Sequence, residues 1–461
     1  MGICGNLSEL ARKFNYIDPS NYAKYDVKRG LRNDDGTGVL VGLTTVGEVE
    51  GYVKQDGHVT AIPGKLYYRG IEVEDLVAGF EREGHFGFEE TVFLLIFGRL
   101  PTRLELEEFT LTLGEMRILP KNFSRDVLQT FRTPDIMNAL GRSTMVLYSR
   151  DKRADDLSLE NQIRQGLELC AKLVPLVPWA YYSVEYGFRD RSLIIHMPEV
   201  QHSAAETFLR LLRPNMEFTE LEAKTLDVAL VLHAEHGGGN NSTFTMRVVS
   251  STGTDFYSAA TAALGSLKGP LHGGANVQVV KMFEEVKRDV TNWHSRDEVR
   301  DWIQKLLKKE KFDQMGVLYG FGHAVYTISD PRAVILKKYA RKLAIEKGRE
   351  EELELYELFE EEAPKVLKEM GKGSKEALCA NVDFYSGFVY DCLGIPPEVF
   401  TPLFAMARMA GWAAHRIEML TGPLKIVRPA FKYVGELAKA YELLNERRCP
   451  DAVDTASVLA R

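Results

Sequence analysis

The sequence is short of several things at once. Cysteine occurs five times in 461 residues, at Cys4, Cys170, Cys379, Cys392 and Cys449. The count is odd, the spacing is wide and no Cys-x-x-Cys pair occurs, which argues against a disulfide framework or a zinc knuckle. Reduced thiols are expected. No apolar run is long enough to span a bilayer, since VFLLIF at Val92–Phe97 stops at Gly98-Arg99. The opening MGICGNLSELARKF lacks the apolar core of a secretory signal. Asn6 stands where a myristoylation site wants Ser or Thr. A cytoplasmic setting is therefore the expectation. Positive charge is not in excess: 58 Lys and Arg against 65 Asp and Glu give a net charge of −7. That balance argues against a broad nucleic-acid or anionic-membrane surface, yet leaves room for a local basic pocket. Internal repeats and low-complexity linkers are also missing.

What is present is a core. Hydrophobic residues make up 45% of the chain, far too many for a disordered protein. Residues 1–40 read as a polar, turn-rich extension. From Val41 to Gly70 short β-like pieces alternate with QDG and IPGKLYYRG, which predicts a hairpin. Beyond Ile71 the pattern is helical. Thr219 and Glu222 predict a capping box before AKTLDVALVLHAEH, and Ser295 and Glu298 predict another before VRDWIQKLL. In the first of these helices Leu226, Ala229, Leu230 and His233 share one face. Asp330-Pro331 has the form of an N-cap and a first-turn proline. Pro396-Pro397 opens a further helix, and REEELELYELFEEEAPKVLKEM reads as a solvated helix with Leu353 and Leu358 turned inward. The expected class is all-α, mostly helical with a small N-terminal β portion.

Glycine-rich stretches punctuate the second half: HGGGNNS, GPLHGG, GFGH and GKGSK. None is a phosphate loop, because Gly373 follows Lys372 and Val325 ends the would-be GxGxxG. Three of the ten histidines, His236, His272 and His323, sit directly against glycine, which lets backbone approach a ligand closely. One such histidine is more often structural; three together point to a site. Asp383, between Val382 and Phe384, has the setting of a general base with a raised pKa. Arg332 falls in the first turn of the helix opened by Asp330, where exposed N–H groups also attract anions. Arg408 lies within the apolar FAMARMAGW, where an unpaired guanidinium is costly to bury, so a carboxylate should meet it. Arg428, before Pro429, is extended and by itself says little.

Three function classes fit these residues: acid–base carbon chemistry on a polycarboxylate, a metal-dependent hydrolase using His236, His272, His323 and Asp383 as ligands, or a helical scaffold whose histidines only pack. The metal reading is weakened by HAEH, whose histidines are three apart where the zincin motif needs four.

HAEHGGGNNSTFTMRVVSSTGTDFYSAATAALGSLKGPLHGGAN, GFGHAVYTISDPRA, NVDFYSG, FAMARMAGWAAH and RPAFKYVG, in that order and preceded by GKLYYRGIEVEDL, closely resemble the citrate synthase family. The resemblance runs from about Val41 to Gly435. It implies a mostly α homodimer whose subunits have a large domain, here 41–276 and 388–461, and a small domain, 277–387, that closes over the cleft. The implied reaction condenses acetyl-CoA, a co-substrate and not a bound cofactor, with oxaloacetate. By resemblance Asp383 is the base, His272 the donor to the thioester oxygen, and His323 the acid at the oxaloacetate carbonyl. His236, Arg332 and Arg408 would clamp oxaloacetate, and Arg428 would reach across from the other subunit. Gly320, Phe321, Gly322 and Ala324 would line the CoA pocket. Many relatives carry a basic residue where this chain has Ala324 or Thr327, so a CoA phosphate contact must come from elsewhere, with Lys372 the candidate. Ala430 stands where many relatives have a second arginine. 2-Methylcitrate synthase, which uses propionyl-CoA, shares all these residues, and one methyl group is worth only about 1–3 kcal/mol in a pocket.

Overall fold

A computed structural model describes residue 8, residues 11–12, 15–55, 58–371 and 378–445. Its contacts divide the chain into two units, Met1–Val39 with Arg428–Arg461, and Leu40–Val427. In the first, the extension carries a short helix, Ser20–Lys24. It is tied to the C-terminal segment by Lys432, whose Nζ lies 5.6 Å from the centre of the Tyr25 ring.

The second unit opens with the predicted hairpin. Strands β1 (Gly47–Gln55) and β2 (His58–Tyr68) pair antiparallel, Gly47 opposite Tyr68 and Gln55 opposite His58, and β3 (Ile71–Glu72) adds to β2. The rest is helical. First come α1 (Val73–Glu83), α2 (Phe88–Phe97), α3 (Arg103–Met116) and α4 (Ile136–Tyr148). Then come α5 (Leu159–Phe188), α6 (Ala204–Leu212), α7 (Glu220–His233), α8 (Asn241–Ser250) and α9 (Phe256–Lys268). The remaining helices are α10 (Ala275–Asp289), α11 (Arg296–Leu307), α12 (Pro331–Lys347), α13 (Glu350–Glu369), α14 (Val382–Cys392) and α15 (Pro397–Thr421).

Two elements form the spine. Helix α15 is buried from Val399 to Ile417 with little interruption and packs chiefly along α5. Helix α7 is buried on nearly every side, the face shared by Leu226, Ala229, Leu230 and His233 included. Its polar residues are absorbed by distant partners: Asp227 accepts the backbone N–H groups of Gly87 at 2.6 Å and Phe88 at 3.1 Å, capping α2. A helix covered all round belongs to the centre of a domain, and that is where α7 lies.

The caps largely follow the sequence. Thr219 and Glu222 make the full capping box. Asp330 caps α12, with Pro331 at its first turn. At α11 the outcome differs. Ser295 caps the helix, but Glu298 turns its carboxylate to the N–H groups of Thr291 and Asn292 instead of closing the box. The preceding turn offers two donors there, and two bonds outweigh one. The three described cysteines, Cys170, Cys379 and Cys392, are free thiols. No helix among the described residues is long and apolar enough to cross a membrane.

Candidate active site

The site is built where five segments of the larger unit meet: the loop after α7, the loop before α10, the loop leading into α12, the start of α14 and the middle of α15. Gly320 and Gly322 give the GFGH stretch its shape. Both have positive φ, +82° and +81°, and a Cβ at Gly320 would come within 2.9 Å of Phe384 and of Val279. Stripped of side chains, the strip lies against the chain entering α14. Phe321 bridges Ala380, the Gly322 N–H donates to Cys379 O at 3.1 Å, and the Asn381 N–H donates to Gly320 O at 2.9 Å. Asn381 also donates from its side chain to Gly322 O at 2.9 Å and caps α14 by accepting the Asp383 N–H at 3.0 Å. One residue thus fixes both His323 and Asp383, sixty positions apart. The half-buried Phe321 ring sits 5.0 Å from that of Phe384, and Ala324 beside His323 is exposed.

The small sheet supports the same loop from the other side. The Gly64 N–H donates to Ser329 O at 3.1 Å, and Tyr326 stacks its ring on that of His323 at 4.6 Å. His323 Nδ1 accepts the backbone N–H groups of Val325 at 3.1 Å and Tyr326 at 3.2 Å. A nitrogen that accepts from amides carries no proton, so the neutral ring holds its proton on Nε2. The opposite tautomer is set at His272, whose Nε2 accepts the Ser242 N–H at 3.3 Å, leaving the proton on Nδ1. Burial, with Arg408 adding to it, pushes His272 down to about 4. Its ring is neutral at ordinary pH.

The His236 ring stands edge-on to His323 at 4.9 Å. Burial and then the charge of Arg332 hold it well below the usual histidine range, and its Nε2 is buried with no partner. Asp383 still reaches solvent in part, but the surrounding protein pushes its carboxyl up to about 6, with Arg332 opposing.

The two buried arginines differ. Arg332 is clamped by Asp330 through Nε at 3.0 Å and Nη2 at 2.7 Å. Burial works against its charge, yet Asp330 prevails and holds it above the usual range. Arg408 is fully buried, donates from Nε to His233 O and lies over the Phe404 ring. Its Nη1 and Nη2 have no partner, and burial pushes its pKa down to about 10. Leaving a charged donor unpaired in a protein interior costs several kcal/mol, on the order of 3–5. Such a group marks the seat of an anion.

Arg428 is exposed and belongs to the other unit. Lys372 lies outside the described residues. Among the described residues no three His, Cys, Asp or Glu side chains are gathered as a metal ion requires. The ligand set considered for a hydrolase is not assembled.

The family model described as "Citrate synthase, C-terminal domain" matches residues 36–430. The chain belongs to the citrate synthase family. A citrate synthase of Synechocystis is 37% identical over 85% of this chain and 90% of its own length. A 2-methylcitrate synthase of Shewanella oneidensis is 33% identical over 80% of this chain and 88% of its own. Among solved structures, the citrate synthase of Thermoplasma acidophilum, in ternary complex with carboxymethyl coenzyme A and oxaloacetate, superposes with a TM-score of 0.73 at 27% identity, covering 91% of this chain and 99% of that one. Citrate synthases are acyltransferases that carry out a Claisen-type condensation with acetyl-CoA as co-substrate.

Several residues that hold the candidate site were not singled out by sequence reasoning, Asn381, Ser242 and Tyr68, and Asp330 was read only as a helix cap and not as the clamp on Arg332. Tyr68 Oη donates to Val231 O at 2.9 Å and steadies the turn that carries His236. Each lies inside a motif that carries the family resemblance, so the signal was motif membership and not residue chemistry.

Proposed function

We propose that this chain forms citrate from oxaloacetate and acetyl-CoA with Asp383, His272 and His323 as its catalytic groups. The observation that carries the reading is Arg408, a buried guanidinium with two unpartnered amino groups beside neutral histidines and a carboxyl raised to about 6. Arg408, Arg332 and the unpartnered Nε2 of His236 suit a dicarboxylate with a central carbonyl. Paired bonds from guanidinium to carboxylate give both orientation and charge compensation.

A thioester methyl is a very weak carbon acid. Asp383 takes its proton while His272 Nδ1–H donates to the thioester oxygen, where charge develops. The nascent enol attacks the oxaloacetate carbonyl. His323 Nε2–H polarises that carbonyl and protonates the new alkoxide. Citryl-CoA is then hydrolysed in the same site. Movement of 277–387 as a small domain would keep water out until the carbon–carbon bond is made. Gly320, Phe321, Gly322 and Ala324 form the wall for CoA. Arg428 comes from the partner of a homodimer. An apolar groove of about 570 Å³ between α4 and α9, lined by Phe131, Met137, Met145 and Leu264, is suited to such packing.

Thiol release from acetyl-CoA, followed with and without oxaloacetate in the presence of a chelator, tests the reading. Oxaloacetate-dependent release that survives the chelator is the expected result. Release without oxaloacetate would make the protein a thioesterase, and faster release from propionyl-CoA run in parallel would make it a 2-methylcitrate synthase.

A further inference from the structure

Between the two histidines of HAEH lies a carboxylate that the mechanism does not use. Glu235 is fully buried. Its Oε1 accepts the Gly237 N–H at 2.5 Å and the His415 Nε2–H at 2.9 Å. His415 Nδ1 in turn accepts Arg247 Nη1 at 2.9 Å, which fixes the ring proton on Nε2, the nitrogen facing Glu235. Arg247 is held by Glu418 at 2.9 Å and by Leu43 O at 3.1 Å. Four elements are thus joined in a line: the chain entering β1, helix α8, helix α15 and the loop bearing His236.

The fit around Glu235 is tight. A Cβ at Gly411 would lie 2.3 Å from its Oε2, and one at Gly238 would lie 3.4 Å from His415. Gly411 is three residues from Arg408 on α15, so the carboxylate is wedged between the His236 loop and the helix carrying the arginine.

We infer that Glu235, oriented by His415 and Arg247, is a positioning residue for the oxaloacetate site: it fixes the His236 loop against the helix that carries Arg408. This rests on the assignment of oxaloacetate to His236 and Arg408. The role inferred for Glu235 is structural and not chemical, and is exerted through the Gly237 N–H and the His415 ring. A neutral glutamine offers the same acceptor oxygen to both donors, so it should preserve the arrangement, whereas alanine removes it.

The test is calorimetric binding of oxaloacetate to the full chain, with steady-state kinetics beside it, for wild type, Glu235→Ala, Glu235→Gln and Arg247→Met. The expected pattern is a rise in oxaloacetate Kd of at least tenfold in Glu235→Ala and at least threefold in Arg247→Met. The acetyl-CoA KM should stay within twofold, and Glu235→Gln within threefold of wild type throughout. Arg247→Met breaks the line at its outer end and gives a result even if Glu235→Ala fails to fold. Unchanged oxaloacetate binding in Arg247→Met, equal losses for both substrates, or a Glu235→Gln as weak as Arg247→Met or weaker would overturn the inference. Wild-type protein that binds no oxaloacetate would instead overturn the substrate assignment on which it stands.

Discussion

At the scale of single residues, Asp383 sits in a contest of two effects. It lies in the first turn of α14, where the helix dipole favours a charged carboxylate. Burial acts the other way and wins, pushing it up to about 6. A base of that strength is ionised at neutral pH yet closer in strength to its carbon acid than a free aspartate. The carboxylate is the active form, so activity is lost as pH falls through the folded-state value. The rate at limiting acetyl-CoA should therefore fall about tenfold per pH unit below roughly pH 6. His272 keeps its neutral form down to about 4 and does not contribute to that limb. A pH–rate profile flat from 7 to 4.5 would remove Asp383 as the base. The sequence made Asp383 legible as a buried acid through Val382 and Phe384, and Arg408 legible as a buried cation through FAMARMAGW. It did not reveal their partners. Arg332 and Asp330 are two positions apart, so that pair lies within one turn of chain. His272 is oriented by Ser242, thirty residues earlier, and Glu235 by His415, 180 residues later.

At the scale of elements, local signals translated well and distant partners stayed hidden. The Thr219–Glu222 box and the Asp330-Pro331 start need only neighbours in sequence, and both form. Leu226, Ala229, Leu230 and His233 on α7 are all buried, but nothing local announced that Asp227 would meet the open N–H groups of α2. The strip at Gly320–Gly322 is likewise an element-scale device, legible as flexible glycine but not as the partner of 379–381. Its tightness is testable. Gly320→Ala must place a methyl within 2.9 Å of Phe384 and Val279 while holding φ at +82°. Strain and overpacking of this kind cost about 1–3 kcal/mol each. The variant should lose stability on that order in urea unfolding, and lose turnover further than stability accounts for, because His323 and Asp383 shift together. Full turnover in a stable Gly320→Ala protein would mean that the strip does not set their spacing.

At the scale of the whole molecule, helix caps and periodicity predicted a mostly α-helical chain with a small β portion near its start, as found. The organisation of the ends was less legible. Residues 1–39 group with 428–461, an arrangement no local pattern could announce. The proposed dimer makes its own prediction. If Arg428 serves the partner's site, Asp383→Asn and Arg428→Ala chains are each inactive alone, but a hybrid dimer regains one intact site. Random reassembly of an equal mixture should restore about a quarter of wild-type activity, since half of the dimers are hybrids with one working site of two. No recovery from mixed chains shown to exchange would place Arg428 in its own subunit's site or in none.

The central claim is that a half-buried carboxylate, and not a metal or a water alone, removes the proton from the acetyl-CoA methyl group. The measurement closest to it is oxaloacetate-dependent thiol release by Asp383→Asn beside the calorimetric affinity of the same protein for oxaloacetate. The account predicts a fall in turnover of at least about a thousandfold, within the span a positioned base supplies, with oxaloacetate affinity within threefold of wild type. Turnover within tenfold of wild type, with oxaloacetate bound normally, would contradict it.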